Sequence, residues 1–275
     1  MGLFKKLTRS LRSGRADETE LLKPLESLNR NNRLHPRYLL PGNGLATLRL
    51  PDGTVGTVMD LSYGGIAVVY DRAVTTDPAR LSSNLEADLT LLDRSIVCRL
   101  TPSRMVPQSG DRVLVGFRVQ HDTPDALLFL REFIEPMRCG QTLASLPQDF
   151  RKERYRSPDW ACLRGDGPVD ILVRTEGGGG KLAEALLTFK MNDTYCELTF
   201  VDGKLRTGHA IKSGEGGLMA LGTQMSQSAA IDKAVLRHAI AVIVGAPPTL
   251  QSALAGVLTE TLEALRESRV HAGAA

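Results

Sequence analysis

The amino-acid sequence predicts two folded parts: an N-terminal six-stranded antiparallel β-barrel with a C-terminal helix, followed by an α+β domain. Three observations predict this. The chain has 275 residues, the length of about two domains of roughly 100 to 200 residues each. Between Leu45 and Val119, short alternating or β-branched segments are separated by turn dipeptides, the pattern of an all-β module. Beyond residue 158, strand-like segments give way to two long helical patterns.

Each element follows from local composition. Residues 1–30 form a basic segment and linker. Leu3, Phe4, Leu7 and Leu11 fall at helical spacing among Lys5, Lys6, Arg9, Arg12 and Arg15, a short basic amphipathic helix. A peripheral membrane contact through residues 3–15, docking on a partner, and a solvated terminus are the readings open to it. Barrel strands are expected near Leu45–Leu50, Thr54–Asp60, Ile66–Tyr70, Leu85–Leu91, Ile96–Val106 and Arg112–Val119. Asp52-Gly53, Gly64-Gly65, Asp93-Arg94 and Gly110-Asp111 supply the turns. Closing six such strands into a barrel removes exposed sheet edges. A helix is expected from Thr123 as N-cap and Pro124 as first residue, stopping before Pro136, with Leu127, Leu128, Leu130, Phe133 and Ile134 on its apolar face. Barrel and helix together take residues 31–138.

Residues 139–158 are polar and charge-rich and read as a linker, and residues 159–270 as the α+β domain. "VDILVRT" and "TYCELTFVDGKLRTGHAI" read as strands, the latter a hairpin about Asp202-Gly203. "KLAEALLTFKM" is ambiguous between helix and strand. Two helices follow, the first ended by Gly245 and the Pro247-Pro248 pair.

Charge narrows the function. The formal net charge is +3, and Lys5, Lys6, Arg9, Arg12 and Arg15 supply +5, so the remainder stands at −2. A near-neutral body lacks the broad basic face of a general nucleic-acid binder, so any phosphate recognition is local. Cys98, Cys139, Cys162 and Cys196 are widely spaced, without zinc-ligand spacing, and read as free thiols of a cytoplasmic protein. His35, His121, His209, His238 and His271 show no metalloprotease or triad spacing, and "EGGGGKL" fails the phosphate-loop pattern. No catalytic residue, metal ligand or cofactor is expected, and the protein reads as a non-enzyme.

Two short motifs remain. "RLHPR" holds Arg33 and Arg37 around Pro36, which keeps the segment extended. "DLSYGG" places Asp60 and Ser62 two apart on one strand face, before Gly64 and Gly65, where the backbone is free to take positive φ or to approach a ligand closely. Either pattern alone is weak. In this order, flanking the first strands of a six-stranded barrel, they resemble the PilZ family of cyclic di-GMP receptors, with its RxxxR and [D/N]xSxxG motifs. The resemblance covers roughly residues 31–138.

It implies a bacterial second-messenger receptor that binds cyclic di-GMP through Arg33, Arg37, Asp60, Ser62 and Gly65. Arg30, Asn32 and Gly64 are further candidates, Asn32 at the position where the family tends to tune ligand stoichiometry. The signal would pass, through ordering of the arginine segment, to the attached domain or to a protein partner that the sequence does not name. The alternative is a ligand-independent interaction or adaptor protein with a PilZ-like barrel.

Overall fold

The computed structural model describes residues 36–40, 44–71, 84–120, 124–176, 181–210, 225–228 and 230–272. The basic amphipathic segment, the linker after it and the expected N-cap Thr123 lie outside them. The chain divides into two units, residues 1–37 and 38–275, and every strand and helix described below belongs to the second.

The first sheet consists of β1 (Tyr38–Leu39), β2 (Ala46–Arg49), β3 (Val55–Ser62), β4 (Gly65–Asp71), β5 (Leu85–Leu91), β6 (Arg94–Gln108) and β7 (Arg112–Gln120). Its pairing runs β3-β2-β5-β6-β7-β4 and returns to β3, which closes an antiparallel six-stranded barrel. The short β1 adds to β3 beyond the end of β2. Alternation decides the lining: Val58, Leu61, Ile66, Val68, Tyr70, Val113, Val115 and Phe117 are buried in the core. Gly56 is required inside, because a Cβ there would collide with the Tyr70 ring.

Helix α1 (Pro124–Gln141) runs six residues past the expected stop and contains Pro136. The proline has no N–H for the Glu132 carbonyl, a defect that costs about 3 kcal/mol in an isolated helix. Tertiary packing offsets it. Ala126, Phe129, Leu130, Phe133, Ile134 and Met137 are buried at helical spacing, each large side chain contributing about 1.5–3 kcal/mol. Leu127 and Leu128, expected on that face, are instead 43% and 53% exposed.

The residues expected as a linker carry the last turn of α1, then β8 (Ala144–Ser145) and two 3₁₀ turns, at Gln148–Phe150 and Glu153–Tyr155. β8 pairs with β9 (Trp160–Arg164) and starts a second antiparallel sheet. Its order is β14-β13-β12-β11-β10-β9-β8, with β10 (Val169–Thr175), β11 (Leu182–Met191), β12 (Thr194–Val201), β13 (Lys204–Ala210) and β14 (Met225–Gln227). The ambiguous "KLAEALLTFKM" is therefore a strand, its apolar residues Leu187 and Phe189 buried beside Ile171 and Leu198. The expected hairpin turn takes positive φ at Asp202 (51°) and Gly203 (69°). Helices α2 (Lys233–Gly245) and α3 (Pro248–Ala272) pack against this sheet.

One core spans both sheets. Barrel residues, the buried face of α1, α2 and the inner face of the second sheet form a single contiguous apolar cluster. The joint is the crossing of α1 and α2, where backbones nearly touch: a Cβ on Gly140 would collide with the Val242 carbonyl, and one on Gly245 with the Met137 carbonyl.

Candidate functional site

Arg30, Asn32 and Arg33 lie outside the described residues. Arg37 immediately precedes β1, whose Tyr38 and Leu39 pair with Leu61 and Asp60. Leu40 N–H then donates to the Met59 carbonyl at 2.9 Å, so the chain after Arg37 is zipped onto the end of β3 that carries the second motif.

On β3 a bulge falls between Val58 and Asp60. The extra residue returns Leu61 to the barrel interior and leaves Asp60 and Ser62 in register with Ala67 and Gly65. Asp60 is half-buried, whereas Ser62 is 4% exposed and its hydroxyl donates to the Gly65 carbonyl at 3.1 Å. The turn is Tyr63-Gly64 and Gly65 opens β4, one residue earlier than the turn expected at Gly64-Gly65. Among the described glycines positive φ occurs at Gly44, Gly53, Gly110 and Gly203, so this turn does not use it. The Gly64 carbonyl accepts from Val119 N–H at 3.2 Å, tying the turn to β7.

The turn also reaches α1. Tyr63 Oη donates to Glu135 Oε1 at 2.8 Å, and Glu135 Oε2 meets Arg138 at 2.8 Å. Burial, with the Glu135 carboxylate second, pushes the Tyr63 hydroxyl well above its ordinary pKa, so it stays a donor.

Strand register adds neighbours that the motifs did not nominate. Gly65 lies opposite the exposed Arg118, and Ala67 lies opposite Gly116, which in turn faces Arg104. A Cβ on Gly116 would come within 2.9 Å of Arg104 Cγ, so the arginine stem lies across the glycine. The barrel exterior thus carries a row from Asp60 over two small residues to Arg104, with Arg118 one row away. Sequence held one clue, a glycine in mid-strand at 116, which marks close approach of another group. Arg104 and Arg118 become neighbours of the motif only through strand pairing.

A second constellation, absent from the sequence reading, lies in the second sheet. Cys196 Sγ is 3.4 Å from His209 Nδ1, and His209 Nε2 is 3.2 Å from Asp232 Oδ2. Its order is that of a thiol–imidazole–carboxylate triad, but its chemistry is not. Cys196 is fully buried, and burial together with Asp232 pushes the thiol up to about 11, so the nucleophilic thiolate is not formed near neutrality. Asp232 is occupied as the N-cap of α2, accepting from Ala234 N–H at 2.7 Å, while its own N–H donates to Thr207 Oγ1 at 2.9 Å. The trio fastens α2 to β12 and β13. Among the described residues no group of three or more His, Cys, Asp or Glu is placed to hold a metal ion, and no helix is long and apolar enough to cross a membrane.

No family model matches the sequence, and no curated protein matches it. Similar solved structures include two that contain cyclic di-GMP. The PilZ domain of YcgR from Escherichia coli, with cyclic di-GMP, shares 19% identity over 36% of this chain and 86% of its own, at a TM-score of 0.27. The PlzA protein of Borreliella burgdorferi, in complex with cyclic di-GMP, shares 9% identity over 70% of this chain and 87% of its own, at a TM-score of 0.31. At these scores the similarity carries no argument of its own; strand pairing shows that the first half of the chain is a closed six-stranded antiparallel barrel followed by a helix.

Proposed function

We propose that the chain is a cyclic di-GMP receptor whose ligand lies on the barrel exterior at the Asp60–Gly65 hairpin and is bound through Arg33, Arg37, Asp60, Ser62 and Gly65. One observation carries this reading: Asp60, Ser62 and Gly65 are gathered at one end of β3 and β4, and the chain directly after Arg37 is paired with that same end. The chemistry suits a ligand with two phosphates and two guanines. An arginine fork clamps phosphate oxygens or the guanine O6/N7 edge in bidentate fashion and stacks on a base. Asp60 accepts from guanine N1–H and the exocyclic amine, while Arg104 and Arg118 add positive charge beside it.

Transmission follows the Tyr63–Glu135 hydrogen bond. Ligand binding at the hairpin, with ordering of the arginine segment, bears on Tyr63, whose partner sits on α1, the helix packed against α2. The ligand shifts this linkage only by as much as it prefers one state over the other.

Isothermal titration with cyclic di-GMP tests the reading. Saturable binding is expected, weakened about 5- to 150-fold, or about 1–3 kcal/mol, by Arg37→Ala when one bidentate guanine contact is lost. Absence of heat at tens of micromolar would sink it. A ligand-independent adaptor is favoured by one fact, that the Ser62 hydroxyl is already satisfied within its own turn. Capture of the same protein partners with and without the dinucleotide would establish that alternative.

A further inference from the structure

Away from the barrel exterior, a cleft of about 640 Å³ opens where the β5–β6 turn, α1, the β11–β12 turn and the first half of α2 meet. Its volume is that of sites for small organic molecules. Three features distinguish it from a packing gap. Leu128, on the α1 wall, is 53% exposed, an apolar surface left open to solvent within a concave wall. His238 lines the cleft with one ring face stacked on Phe189 at 4.4 Å, and its ring nitrogens have no hydrogen-bond partner among the described residues. Burial holds this imidazole neutral, with its pKa near 4, so it offers one donor and one acceptor rather than a charge.

The third feature is the charge balance. Arg94 is paired with Glu132, Arg237 with Asp93 at 3.0 Å, and Lys190 with Asp193 at 2.8 Å. Glu135 is held by Arg138 and Tyr63. Arg131 lies three residues after Leu128, on the same side of α1, and among the described residues it has no ion pair. The cleft therefore presents apolar wall, one neutral imidazole and a single uncompensated positive charge.

We propose that this cleft is a second ligand site, separate from the barrel exterior, for a small amphipathic organic monoanion. The anionic head lies at Arg131, the apolar body lies against Leu128, and a hydrogen-bonding atom meets His238. Such an occupant touches barrel, α1 and second sheet together, and it meets Glu135, the partner of Tyr63.

The probe is 1-anilinonaphthalene-8-sulfonate, an aromatic monoanion whose fluorescence rises on entering an apolar site, titrated into the full chain without cyclic di-GMP. One saturable site is expected, with affinity reduced at least about tenfold by Leu128→Asp, through the lost apolar contact, and by Arg131→Glu, through the reversed charge. Both positions are exposed, and urea melts verify that the variants stay folded. A separate readout on the unaltered chain is the His238 imidazole NMR signal, expected to shift on saturation. Phe150→Asp, at an apolar side chain 76% exposed elsewhere, is expected to leave binding unchanged. Unsaturable binding, affinity retained in both cleft variants, a still His238 signal, or loss of the site in Phe150→Asp would each overturn the assignment.

Discussion

Tyr70 stands in the barrel interior, edge-on to Phe117 with ring centroids 6.5 Å apart, and its buried hydroxyl has no hydrogen-bond partner among the described residues. Such an orphan costs about 1–3 kcal/mol, so Tyr70→Phe is expected to raise stability by about 1 kcal/mol in a urea melt. A loss of similar size would mean the hydroxyl is bonded after all. His238 sets a pH dependence at the same scale. Burial lowers its pKa to about 4 in the folded chain, against about 6.5 when unfolded. Above the unfolded value neither state binds the proton and stability is full. As pH falls toward 4, the unfolded chain takes up a proton that the folded chain refuses, so stability drops by roughly 3 kcal/mol and then levels off. Arg94, Arg131, Glu132, Glu135 and Lys190 line the same cleft and Arg237 precedes His238 on α2, but burial is the cause of the shift. His238→Phe keeps the ring stack and is expected to remove this share of the slope in chemical melts between pH 6.5 and 4; an unchanged slope would contradict the burial argument. Of these residues the sequence announces little. His238 reads as one histidine in an apolar helix, because neither Phe189 nor the cleft is near it in the chain.

At the scale of elements the crossing of α1 and α2 is the most demanding contact. Gly140→Ala or Gly245→Ala forces a methyl into a facing backbone carbonyl, and a cost of about 1–3 kcal/mol is expected by thermal or urea unfolding. A neutral result would show that the helices slide apart freely. This crossing also explains which elements were legible. The barrel strands were, because period-two alternation and turn dipeptides are local signals, and Leu85–Leu91 falls where composition places it. The end of α1 was not: Pro136 argues locally for a stop, and what carries the helix through it is the burial of Met137 and Gly140 against α2, about a hundred residues later. The same logic separates the halves of the candidate site. Asp60, Ser62 and Gly65 could be read from a string, whereas Arg104, Arg118 and the Tyr63–Glu135 bond depend on register and docking.

For the whole molecule, the single apolar cluster through both sheets makes cooperative unfolding the expectation for residues 38–275. Fluorescence of Trp160, in the second sheet, and hydrogen exchange at barrel amides such as those of β7 are expected to report one midpoint. Two separated midpoints would mean the sheets unfold independently. Saturating cyclic di-GMP, if it binds the folded barrel, is expected to raise that common midpoint, because a ligand that binds only the native state stabilises everything coupled to its site.

The fused core bears on how such a protein can be rearranged in evolution or in the laboratory. A cut after Arg138, where the barrel motif ends in sequence, would sever α1 between Met137 and Gly140 and bare the Phe133, Ile134 and Met137 face to water. The barrel thus does not detach cleanly: grafting it onto another chain would mean carrying α2 along, or repainting one side of α1 with polar residues first.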